Sequence, residues 1–145
     1  MQVNEGLRVL ENVIIRLFSP DGTIKETRVA NAVTTVAKNM IADQLLAAPA
    51  LVKTTHLAIG TGTPGATLLG AEIDRNALTS KTRSGAVITM VGDWAAGDGT
   101  GALTEAGTFN VVTANTIDMH TSVSFAVVNK LAADVLQISW TLTIA

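Results

Sequence analysis

The residues of this chain best spaced for chemistry are Gly60, Gly62 and Gly65. They spell G-x-G-x-x-G within His56-Leu57-Ala58-Ile59-Gly60-Thr61-Gly62-Thr63-Pro64-Gly65. In a dinucleotide-binding unit such glycines let the backbone approach a pyrophosphate and aim helix N–H groups at it. That chemistry also needs a helix opening at the third glycine and an acid about 20 residues further on. Here only Ala66-Thr67-Leu68-Leu69 separates Gly65 from Gly70, too short for a crossover helix, and Ser84-Gly85-Ala86 stands where the acid is needed. Pro64 removes an amide that a phosphate would use. Ala66 follows Gly65 where a Walker loop has Lys. The stretch therefore reads as a central strand, His56–Ile59, leaving its sheet through a glycine-rich turn.

The other reactive side chains are sparse. His56 and His120, the two histidines, fall on different predicted strands and lack the carboxylate spacing of a metal site. Asp118 stands near His120, but nothing nominates a nucleophile beside it. Asp93 and Asp98 flank Gly97-Asp98-Gly99-Thr100-Gly101, which has too few oxygen ligands for an EF-hand and reads as a mobile surface loop. Glu72-Ile73-Asp74-Arg75 is a charged knot, a solvated edge or a local ion pair of little worth, with an interface role for Arg75 as the alternative. There is no G-x-S-x-G, no H-E-x-x-H and no Cys. The expectation is a protein that is not an enzyme, with no catalytic, cofactor-binding or metal-ligating residue to assign and no cofactor.

The elements around these residues are mostly strands. Leu7–Phe18 places Val13, Ile15 and Leu17 on one face. Ser19-Pro20-Asp21-Gly22 reverses the chain, and Thr23–Val29 returns with Ile24 inside and Lys25, Glu26 and Arg28 wet. The segment Asn31–Ala48 holds the one helix, over about residues 34–47. Thr34 or Thr35 caps it, Pro49 stops it, and Val36, Ala37, Met40, Ile41, Leu45 and Ala48 form its packing stripe. Strands follow at Leu51–Ile59, at Ala77–Arg83 and Ala86–Trp94 about a Ser84-Gly85 turn, and at Leu103–Asn110 with a bulge at its glycine. Ile117–Val128 directs Val123, Phe125 and Val127 to one side, and Asn129–Asp134 is a loop. Val135–Ile144 alternates without a break, which marks an antiparallel strand with one buried face. Seven or eight such strands predict a mainly β fold, an antiparallel β-sandwich or jelly-roll-like domain with one helix. Residues 1–6 read as a flexible N-terminal arm and residues 7–145 as a single domain.

Composition narrows the partners. Of 145 residues, 15% are charged and 3% aromatic, while 48% are hydrophobic; typical domains carry roughly 25% charged residues. Few charges and much aliphatic surface suit either a well-filled β core or a surface covered by assembly. The net charge of −2, without a cluster of Lys or Arg, argues against nucleic acid. No apolar run is long enough to span a membrane, and the N-terminus lacks the pattern of a signal peptide.

Four stretches together resemble a widespread family of small tailed-bacteriophage virion proteins. They are His56–Thr63, Leu69–Arg75, Leu103-Thr104-Glu105-Ala106-Gly107-Thr108-Phe109-Asn110, and Phe125–Lys130 with Leu136–Thr143. The resemblance covers Leu17–Ala145 and implies a non-enzymatic β-sandwich on a phage particle. Two placements follow from it. One is a head decoration (cement) protein that binds the major capsid protein lattice as a homodimer or homotrimer. The other is a tail-fibre or tail-adaptor component. The implied location is the virion capsid surface, after synthesis in the bacterial cytoplasm. A small-ligand-binding sandwich is the reading outside this family.

Overall fold

A computed structural model describes residues 8–32, 35–48, 53–114 and 119–145. The expected arm at 1–6, Thr34, Pro49, Asp118 and the expected strand starts at Leu51 and Ile117 lie outside these residues. Strands β1 (Val9–Phe18) and β2 (Ile24–Ala32) form the first hairpin. Gly22 takes the turn with φ +86°, and Asp21 Oδ1 accepts the Thr23 N–H at 3.0 Å and the Thr23 hydroxyl at 2.7 Å. These two bonds hold the Asp21 carboxyl below its usual range. Helix α1 (Thr35–Asp43) follows, then β3 (His56–Gly60), β4 (Glu72–Ala77), β5 (Ser80–Ser84), β6 (Val87–Trp94), β7 (Gly101–Phe109), β8 (Met119–Lys130) and β9 (Val135–Ile144).

These strands make an antiparallel β-sandwich. One sheet runs β2-β1-β9-β6-β5 and the other β4-β3-β7-β8. Successive hairpins alternate between the sheets, and β9 inserts between β1 and β6. The uniform alternation of β9 suits it to that central place. Leu136, Ile138, Trp140 and Leu142 point inward and are at most 5% exposed. Leu136, Ile138 and Trp140 meet Val13, Ile15 and Leu17 from β1, Met90 and Trp94 from β6, and Leu57, Ile59, Leu103 and Val123 from the second sheet. Only Leu78 and Thr79 separate β4 from β5, yet the chain changes sheets there. Leu78 N–H bonds back to Thr55 O and Thr79 N–H to Val91 O, at 2.9 and 2.8 Å.

Several expectations shift. Strand β4 occupies the segment read as a charged knot, because pairing with β3 outweighs its polar composition. Ile24 is 58% exposed rather than inside. A register shift between Leu17 and Phe18 pairs it with Phe18 and turns it to the outer face. Val127 is 43% exposed while Val128 is buried. The β7–β8 register jumps from Leu103↔Val128 to Glu105↔Ser124 and breaks the alternation. The irregularities of β7 thus lie to either side of Gly107 rather than at it. Lys130 belongs to β8 instead of a loop. Helix α1 ends at Asp43, and Leu45 is 85% exposed, so the apolar stripe of that helix stops short of its expected length.

Candidate functional site

The glycine motif folds as a closed loop over the outer face of the second sheet, and its anion site is already filled by the chain. Glu105, on β7, is fully buried. Its Oε1 accepts the N–H groups of Gly62 (3.0 Å) and Ala71 (2.7 Å), and its Oε2 accepts the N–H of Gly70 (2.8 Å). The loop limbs are tied further by Thr61 N–H to Ala71 O at 3.0 Å and by the Thr104 hydroxyl to Gly62 O at 2.7 Å. The glycines are needed for closeness. A Cβ on Gly60 would run into the Glu105 carboxylate and Ala71 O, and one on Gly62 would come within 2.8 Å of Ala71 N. Backbone amides that converge on an anion are the chemistry of a phosphate cradle; here the anion is an internal carboxylate. Leu69, carried by the same loop, packs with Ala58, Phe109 and Met119 in a second apolar cluster.

Beside this loop the charged knot becomes a buried ion pair. The register shift at Ile59/Gly60 sets Glu72 and Arg75 on the same face of β4. Arg75 then grips Glu72 through both oxygens, at 2.7 and 3.1 Å, with both side chains 1% exposed. Its guanidinium lies 3.6 Å from the centre of the Phe109 ring and donates to Val111 O at 3.2 Å. A planar fork suits both contacts. The reading of this segment as a solvated edge is thereby corrected, since β4 and the loop shield it.

The histidines do not meet in a common site. His56 Nδ1 lies 2.7 Å from the Thr55 hydroxyl, and burial, then the charge of Arg75, lowers the imidazole's pKa. His120 Nδ1 lies 2.8 Å from the Thr54 hydroxyl. Among the described residues no group of three or more His, Cys, Asp or Glu is placed to hold a metal. The loop at Gly97–Gly101 is exposed at Gly97, Asp98 and Thr100 and comes close to the core at Gly99, where a Cβ would come within 2.6 Å of Ile59 Cδ1. Lys130 and Glu11 are among the buried charges that went unnoticed in the sequence. Lys130 is 1% exposed and donates to Ala95 O at 3.1 Å; burial lowers its pKa, against the opposing pull of Asp134, Asp98 and Asp74. Glu11 is 3% exposed on the inner face of β1 and accepts the Thr121 hydroxyl at 2.6 Å. Burial raises its pKa. Only a strict reading of the β1 alternation, with Glu11 in phase with Val13, could have signalled it.

Two surfaces remain. On the outer face of the second sheet the loop just described packs over Ala58, Phe109 and Met119, while Ser124 and Ala126 of β8 are exposed. The outer face of the five-stranded sheet is bare among the described residues. Its central rows, set by strand register, are Ile14, Ser139 and Val91, then Asn12, Thr141 and Thr89. Arg16 and Asp93 are the only charged residues that β1, β9 and β6 direct to this face. The other surface is a groove of about 480 Å3 where α1 overhangs the inner side of β5, β6 and β9. Among the described residues no helix is long and apolar enough to cross a membrane. No family model, curated protein or solved structure matches the chain.

Proposed function

We propose that this chain is a non-enzymatic virion protein of a tailed bacteriophage, a head decoration (cement) protein that binds the outer capsid lattice as a homodimer or homotrimer. The observation that carries this reading is the bare face of the five-stranded sheet. At about 3.4 Å per residue and about 4.8 Å between strands, that face has a footprint of roughly 700 Å2, near the ~800 Å2 per partner of a standard interface. It is built mainly of Thr, Ser, Val and Ile, has a hollow of about 490 Å3 beside Leu10, Asn12, Asn31 and Thr143, and is almost free of charge, so covering it strands few ions. The resemblance of four sequence stretches to phage virion proteins supports the same reading. Two of them, His56–Thr63 and Leu103–Asn110, are the partners in the Glu105 loop closure, which makes them determinants of the fold.

The test separates heads from tails in purified virions and measures the protein in each by mass spectrometry. Decoration predicts the protein on heads. Tailless heads that lack it, with tails that hold it, would replace this placement with the tail-adaptor one. A Ser139→Glu/Thr141→Glu variant should fold, by its thermal melt, yet lose at least tenfold in binding to undecorated heads. Unchanged binding would show that this face is not the one that docks.

A further inference from the structure

We propose that the groove under α1 binds a single-chain anionic amphiphile, a fatty-acid carboxylate, with its acyl chain on the apolar floor and its headgroup at the rim. The floor is Ile88 and Met90 of β6 with Leu142 of β9, and the wall is Met40 and Ile41 of α1 with Leu45 beyond it. The volume, about 480 Å3, falls within the roughly 300–1,000 Å3 of small-molecule sites. Apolar side chains dominate its lining. The charged residues of that lining are Lys53, Lys81 and Arg83, all cations. They stand on the exposed side of the groove, where a headgroup keeps its water while the chain is covered.

The charge pattern chooses among occupants. A second copy seated here by twofold symmetry would bring Lys53, Lys81 and Arg83 toward their own equivalents, and like charges oppose that. An extended peptide seated on the floor would bury backbone amides over β6 and β9, which already pair with each other, while pairing along the open edge of β5 would hold it beside the sheet and off the apolar floor. Those amides would go unsatisfied. An acyl chain has no such groups, and its carboxylate complements the cations. Part of the rim is already positioned: Lys81 Nζ donates to Thr54 O at 2.8 Å and Arg83 to Gly85 O at 2.8 Å. Each lysine or arginine donor has further N–H groups to offer an incoming carboxylate. This inference is independent of the virion reading, and its test needs only the purified chain.

The experiment titrates the full chain with octanoate, decanoate and dodecanoate by calorimetry, each below its micelle concentration, and repeats the titration with neutral dodecanol. Methyl NMR of the methionines locates the ligand. Each added methylene should tighten binding about fourfold, as ~0.8 kcal/mol per buried CH2 implies, and dodecanol should bind at least tenfold more weakly than dodecanoate. The methyl signals of Met40 and Met90 should move, while that of Met119, buried in the other cluster, should not. Lys53→Glu/Arg83→Glu should weaken dodecanoate about tenfold. Ile41→Trp, which fills the groove from the helix side, should abolish binding with the thermal melt retained. Equal affinity for dodecanol and dodecanoate would overturn the proposal. So would shifts spread evenly over all methionines, wild-type affinity in Ile41→Trp, or no binding at all.

Discussion

Replacing Glu105 tests the logic of the central loop most directly. The carboxylate is fully buried and accepts three backbone N–H groups, from Gly62, Gly70 and Ala71. Hydrogen bonds to a charged group contribute roughly 1.5–3 kcal/mol each, and a buried donor left without a partner costs about 1–3 kcal/mol. The three share one acceptor and are not additive, so Glu105→Ala should cost about 3–5 kcal/mol. Glu105→Gln is the sharper probe. Its remaining oxygen can serve Gly62 and Ala71 from the Oε1 position, but its NH2 then faces the Gly70 N–H, donor against donor. One bond is lost while two weaken, for a cost of about 2 kcal/mol. Urea unfolding measures both variants. Amide exchange gives the local readout: Gly62, Gly70 and Ala71 should exchange faster in Glu105→Ala, while amides in β1 and β9 change only as far as global stability falls. A Glu105→Ala cost under about 1 kcal/mol, or unchanged exchange at those three amides, would refute the view that this carboxylate holds the loop.

Three further outcomes are expected. Trp140→Ala should cost about 3–5 kcal/mol in urea unfolding, the range for deleting a buried aromatic, because Trp140 is fully buried between the sheets. Arg75→Ala should cost about 3–5 kcal/mol, since it removes the guanidinium that grips the buried Glu72 carboxylate through both oxygens; Arg75→Lys should recover only part of this, because an ammonium keeps the charge but loses the fork and the stack on Phe109. Glu11 should make stability depend on pH. Burial raises its folded-state pKa above the ordinary value of 4.5, so its contribution is fully present below that value and is lost as pH rises through the higher one. Urea midpoints compared between pH 4 and pH 8 should therefore fall less in Glu11→Gln than in the parent chain.

Much of the architecture was legible in the residues because strand alternation is a local signal. The phase of Val13, Ile15 and Leu17 and the unbroken pattern of Val135–Ile144 identify inward faces without any partner in view, and Pro20-Asp21-Gly22 and Ser84-Gly85 mark their turns by local chemistry alone. The absence of a helix after Gly65 was equally legible, from the short segment before Gly70. What the residues could not show is whatever depends on register between distant strands. Bulges at Gly60, Phe18 and Leu103–Glu105 decide that Glu72 joins Arg75 on one face, that Ile24 turns outward and that Val127 gives way to Val128. A shift of one position reverses a side chain's direction, and nothing local reveals it. The glycine stretch draws the line most clearly. Its sequence determined that the backbone could come close to an anion and that no helix opens at the third glycine; only the pairing of β3 with β7, more than forty residues away along the chain, decided that the anion is Glu105.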